Sequence, residues 1–201
     1  MKRGFLLLLV AALLLGTASY ATATPIKYTE EVLADGMFGG IPFSAAEVHI
    51  TLFGDTSTVK MIAPGYYVND PGPGKVMLTV EGFAGVFLFT DDIAVFDKGT
   101  GYPLGCGDVG CAGFGITTGP TVFETGNGAF KTYDLKSAIG PITDTASADT
   151  DVPFGTTGGP LVIIFFESDS TFTATLVPEP ATMCLLGLGA MAAWRRGFLR
   201  M

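Results

Sequence analysis

Val48, Ile50 and Leu52 alternate with Glu47, His49 and Thr51, a period of two that predicts a strand with one wet face and one buried face. Further short apolar or alternating runs cover Thr58–Ala63, Lys75–Glu81, Gly85–Thr90, Ile93–Asp97, Gly113–Thr117, Phe130–Leu135, Leu161–Glu167 and Thr171–Leu176. They recur about every ten residues, and no long stretch has helical periodicity, so the pattern predicts antiparallel strands closed as a sandwich or barrel. An antiparallel β-sandwich, jelly-roll-like, is the expected fold. Leu161–Phe166 is apolar on both faces and reads as a central strand. Glu167–Ser170 reads as the turn that returns the chain to Phe172 and Ala174. Gly126-Asn127-Gly128 suits a tight hairpin, and the segments 71–74 and 158–160, rich in Pro and Gly, read as loops.

Two apolar segments fall outside this rhythm. Lys2 and Arg3 precede an unbroken apolar run from Phe5 to Leu15, and Ala21-Thr22-Ala23 follows as a small-x-small site, the order of a secretory signal peptide over residues 1–23. As a helix those eleven residues would reach about 16 Å, short of a bilayer core of about 30 Å, which argues against a membrane anchor. The other segment runs from Ala181 to Trp194 and ends at Arg195 and Arg196. Pro178 and Pro180 stop any regular element before it. Its fourteen residues reach about 21 Å as a helix, a marginal transmembrane span that the two arginines would orient with the body outside. The expected organisation is therefore a signal peptide (1–23), a β-sandwich ectodomain (24–176) and a C-terminal tail with a short hydrophobic helix (177–201).

The chain carries 11 basic and 19 acidic residues. Lys2, Arg3, Arg195, Arg196 and Arg200 lie in the two end segments, so the middle holds six lysines against eighteen carboxylates and no arginine. An anionic body without arginine forks is a poor nucleic-acid binder. Many glycines, threonines and phenylalanines also favour sheet over helix.

Val177-Pro178-Glu179-Pro180-Ala181-Thr182, a short helix rich in Leu, Gly and Ala, and the closing Arg195-Arg196 together resemble the PEP-CTERM sorting signal of Gram-negative bacteria. The residues Gly197–Met201 extend beyond that pattern. The run Leu33–Val59 is also loosely similar to other ectodomains that bear this signal. The resemblance implies export by the secretion translocase and signal peptidase, then recognition by an exosortase, a membrane-embedded protease, near Pro178–Pro180. It further implies release or attachment at the cell envelope, cell surface or extracellular matrix. An ordinary C-terminal anchor is the plainer alternative.

Candidate chemistry in the middle is sparse. Cys106 and Cys111 flank a four-residue Gly-rich loop, and in an exported chain a disulfide between them is the simplest account. Metal ligation by the pair is disfavoured with only one histidine in the chain, and Cys184 reads as a small packing residue in the tail. His49 would have to be the base of any Ser-His-Asp or Cys-His enzyme, yet its strand position and the lack of a Gly-x-Ser-x-Gly elbow favour a solvated histidine. Asp91, Asp92, Asp149 and Asp151, with Asp144 nearby in sequence, are the candidate calcium ligands or hydrolytic carboxylates, without EF-hand spacing. Tyr66 and Tyr67 are the aromatic candidates for an extracellular polysaccharide, since Trp194 lies in the tail. The expectation is a non-enzymatic structural protein without cofactor; a glycan- or calcium-binding module is the alternative.

Overall fold

The computed structural model describes residues 23–99, 109–117 and 119–178. Ala21, Glu179, Pro180, Arg195, Arg196, Cys106 and both expected terminal helices lie outside them. Thirteen strands follow along the described chain: β1 (Pro25–Phe38), β2 (Ile41–Asp55), β3 (Lys60–Ala63), β4 (Tyr66–Asn69), β5 (Val76–Val80), β6 (Phe87–Leu88), β7 (Ile93–Lys98), β8 (Cys111–Ile116), β9 (Thr121–Gly126), β10 (Ile139–Asp144), β11 (Ala146–Ser147), β12 (Leu161–Phe166) and β13 (Ser170–Leu176). Two 3-10 turns, Thr56–Thr58 and Gly128–Thr132, are the helical elements among the described residues. One sheet has the order β10-β13-β1-β2-β5-β6, with β12 also on β1; the other runs β11-β9-β8-β7-β4-β3. Every pairing is antiparallel, so the protein is an all-β sandwich of two packed sheets, as the alternation predicts.

The core follows from the period of two. Ile26, Tyr28, Val32 and Ala34 on β1, Val48, Ile50 and Leu52 on β2, and Val76, Leu78 and Val80 on β5 all turn inward, in one cluster with Ile93, Val95, Phe114 and Phe123 of the second sheet. β1 and β2 form a long hairpin closed by Gly39 and Gly40. Both have positive φ (57° and 83°), the backbone of a two-residue type I′ turn. Phe130, brought inward by the second 3-10 turn, meets Phe172 edge-on with ring centroids 5.5 Å apart.

Four local expectations are corrected. Phe130–Leu135 is not a strand: Gly128–Thr132 coils as a 3-10 turn that buries Phe130. Asn127 is not a hairpin residue but that turn's N-cap, its side-chain oxygen accepting from Ala129 N–H at 2.9 Å. β12 is not central, because its one strand partner is β1 and its outward residues Ile164 and Phe165 are 47% and 58% exposed. Glu167–Ser170 does not reverse the chain. Phe166 pairs with Ala34 and Thr171 with Glu31, so β12 and β13 run on in one direction along the same edge of β1. At the interruption Glu167 N–H donates to Leu33 O at 2.9 Å, and Ser168 Oγ accepts from Leu33 N–H at 3.3 Å. Those two bonds replace the missing ladder, so the backbone of β1 stays satisfied across the kink.

Candidate functional site

The outward positions of the β10-β13-β1-β2-β5-β6 sheet line up in rows across the strands. One row reads Thr143, Thr171, Glu31, His49 and Thr79, each paired in register with the next. Glu47, two residues before His49 on the same strand face, completes a cluster. His49 Nδ1 stands 3.3 Å from Glu31 Oε2, and His49 Nε2 stands 3.0 Å from Glu47 Oε1. Both imidazole nitrogens thus face a carboxylate, a pairing in which both contacts are hydrogen bonds only when the ring carries two protons. Glu81 borders the cluster: its Oε2 accepts from Glu47 N–H at 3.3 Å, and its own N–H donates to Glu47 O at 2.9 Å.

Two concavities flank this row. A cavity of about 160 Å³ is lined by Glu31, Glu47, Ser168, Asp169 and Thr171, so the interruption between β12 and β13 forms one wall. On the other side of His49 a cavity of about 290 Å³ is lined by Lys27, Thr51, Phe53, Met77, Thr79 and Val86. Phe53 is 54% exposed there, with the Lys27 ammonium 5.9 Å from its ring centre.

Of the acidic residues singled out in the sequence, Asp91, Asp144 and Asp149 use their carboxylates in local hydrogen bonds. Asp91 Oδ2 accepts from Gly155 N–H at 2.6 Å, and Asp149 Oδ2 accepts from Thr121 N–H at 2.7 Å. Asp144 is held below the usual carboxylate range by the Thr145 N–H and the Asn127 amide. Slight desolvation and the neighbouring Asp70 raise exposed Asp92, and Asp151 N–H donates to Ile163 O at 3.0 Å. Among the described residues, the set of three or more metal-ligating side chains that converges is Glu31, Glu47 and His49, and none of these aspartates belongs to it. His49 and Glu47 share a strand face that the sequence already displays, but Glu31 joins them only through the β1–β2 register. That register is why sequence reasoning missed the cluster.

Tyr66 is buried, and its hydroxyl donates to Thr117 O at 3.0 Å, so it offers no stacking plate. Cys111 is buried and disulfide-bonded, while Cys106, its expected partner, lies outside the described residues. Ala23, at the expected signal-peptide site, is exposed and precedes β1.

Two carboxylic acids lie inside the sandwich. Glu30 is fully buried and accepts from Thr125 Oγ1 at 2.9 Å, leaving Oε2 unpartnered; burial pushes its pKa well above the usual range. Asp97 is buried with neither oxygen partnered, and burial, aided by Asp134, pushes it up to about 8. Asp97 is therefore held protonated in the native state at neutral pH, and burial shifts Glu30 in the same direction.

The last strand ends beside the first. Val177 N–H donates to Pro25 O at 2.8 Å, and exposed Pro178 follows as the last described residue. The described residues thus form a β-sandwich whose final strand ends at Leu176, two residues before the last described position. Residues 176–197 match the family model described as the PEP-CTERM protein-sorting motif, so the chain carries that motif. It marks an exported protein that is targeted to an exosortase and associated with the membrane before sorting. Comparison with curated proteins and with solved structures returns no match.

Proposed function

We propose that the sandwich is a non-catalytic structural protein of the cell surface or extracellular matrix, exported behind a cleaved signal peptide and processed by an exosortase. The junction at β13 carries this reading: the sorting motif begins at 176, where β13 ends, so cleavage near Pro178–Pro180 removes no described strand. The short hydrophobic helix expected over 181–194 holds the chain at the membrane until that cut. The carboxylates of Asp91 and Asp149 are engaged by backbone N–H groups, which favours a load-bearing body over an active site at those positions. Fractionation with mass spectrometry of the mature chain tests the proposal. A C-terminus near Pro178–Pro180 on protein recovered from the envelope or medium is the expected result, and an intact C-terminus in a soluble cytoplasmic pool overturns it.

The cavity at Phe53 favours a second reading, a binding module for extracellular polysaccharide. An exposed aromatic ring beside a lysine and outward threonines offers a stacking face with hydrogen-bonding groups around it. Retention on polysaccharide affinity gels that falls in Phe53→Ala supports it. Equal retention of the two proteins removes it.

A further inference from the structure

Neither sorting nor a structural role calls for the meeting of two carboxylates and the chain's single imidazole on the outer face of the sheet. Glu31 and His49 sit directly opposite on adjacent strands, and Glu47 shares the face of His49, so the sheet backbone fixes all three Cβ positions. One ligand atom from each lies within 4.8 Å of the others. Around a four-coordinate ion with bonds of about 2.0–2.2 Å, ligand atoms stand roughly 3.4 Å apart. One ion takes only one imidazole nitrogen, so His49 must give up one of its two carboxylate contacts as the three ligand atoms close from within 4.8 Å onto one centre.

Charge points the same way. Among the described residues the ion-pair partner of Glu31 and of Glu47 is His49, and one imidazole cannot offset two carboxylates even when doubly protonated. Glu81 beside Glu47 and Asp169 across the smaller cavity add to the negative potential. That cavity also opens onto Glu31 and Glu47, giving room for water or for Asp169 to complete a coordination shell. The donor set selects the ion: calcium and magnesium take oxygen ligands, whereas an imidazole nitrogen with two carboxylates suits zinc and its first-row neighbours.

We propose that Glu31, Glu47 and His49 form a binding site for a divalent transition-metal ion of the zinc type, built across β1 and β2 and walled by the β12–β13 interruption. Because the site clamps two strands of the native sheet, the ion stabilises the folded protein.

The test uses the full chain, purified without a polyhistidine tag, with Zn²⁺ alone as probe. Since the chain has one histidine, its imidazole ¹⁵N resonances report on His49 unambiguously. The expected result is uptake of about one ion per chain in equilibrium dialysis at about 100 µM Zn²⁺, accompanied by a shift of those resonances. Uptake is lost in His49→Gln and weakened roughly tenfold or more in Glu31→Gln and in Glu47→Gln, with Asp91→Asn unchanged. All three residues lie outside the core, and unchanged circular dichroism of each variant confirms folding. No uptake by the wild-type chain, uptake retained by His49→Gln, or zinc bound without a shift of the imidazole resonances overturns the site and leaves an ion-pair triad.

Discussion

Asp97 is buried on β7 with no hydrogen bond to either carboxyl oxygen, and that isolation makes it a proton-linked element of stability. In the unfolded chain it ionises near 3.8, but in the native sandwich burial holds the proton until about pH 8. Between those values the folded state binds one more proton than the unfolded state, so stability falls as pH rises, by up to about 1.4 kcal/mol per pH unit. The contribution is fully present below about pH 4 and exhausted above about pH 8. Glu30, raised for the same reason, acts in the same direction. Asp97→Asn keeps the shape and removes the titration. Thermal melts at pH 4, 6 and 8 are expected to show the variant gaining on the wild type as pH rises, with the largest advantage at pH 8; parallel pH profiles for the two proteins contradict the account. Neither acid was legible as a core residue. Glu30 falls in the inward series of Ile26, Tyr28, Val32 and Ala34, but a carboxylate at a core position argues against burial, and the structure resolves the conflict with the bond from Thr125.

The β1–β2 hairpin shows at the level of the element how a turn sets a face. Gly39 and Gly40 both require a left-handed backbone, but a Cβ at Gly39 would also meet Gly158 O at 2.7 Å, while one at Gly40 would meet nothing within 4 Å. Gly40→Ala is therefore expected to cost about 1–2 kcal/mol from backbone strain alone, and Gly39→Ala clearly more. Urea denaturation separates the two, and equal losses would show that the close approach of the 158–160 loop carries no energy. This element also marks where periodicity stops being enough. Val48, Ile50 and Leu52 announce their face because Glu47, His49 and Thr51, which alternate with them, are polar. Leu161–Phe166 misleads because apolar Ile164 and Phe165 stand on the outer face of an edge segment, which composition cannot distinguish from a buried one. Asn127 misleads for another reason: the side chain that favours a hairpin turn equally caps a 3-10 turn, and only tertiary burial of Phe130 decides between them. Glu31, Glu47 and His49 are likewise ordinary polar positions until this hairpin's register brings them together.

At the scale of the whole molecule, the protein must stay folded when its sorting segment is cut away, and the sheet order shows how it can. β13 lies between β10 and β1 in its sheet and delivers Phe172 and Ala174 to the core, where Phe172 meets Phe130 and Tyr133. Losing that strand would open the sheet beside its longest hairpin and strip the aromatic cluster, a loss larger than the roughly 3–5 kcal/mol of a Phe→Ala change alone. Beyond β13 a single described backbone bond, from Val177 to Pro25, ties the chain back to β1. A chain ended after Pro178 keeps every described strand and that bond, so its melting midpoint is expected to lie within about 2 °C of the full chain, less than a loss of about 1 kcal/mol would produce. A chain ended after Glu167 lacks β13 and is expected to show no cooperative transition. Differential scanning calorimetry of the two truncations decides the matter: a clear drop for the longer one would mean that the sorting segment packs on the sandwich, and an exosortase would then be cutting into the fold instead of releasing it.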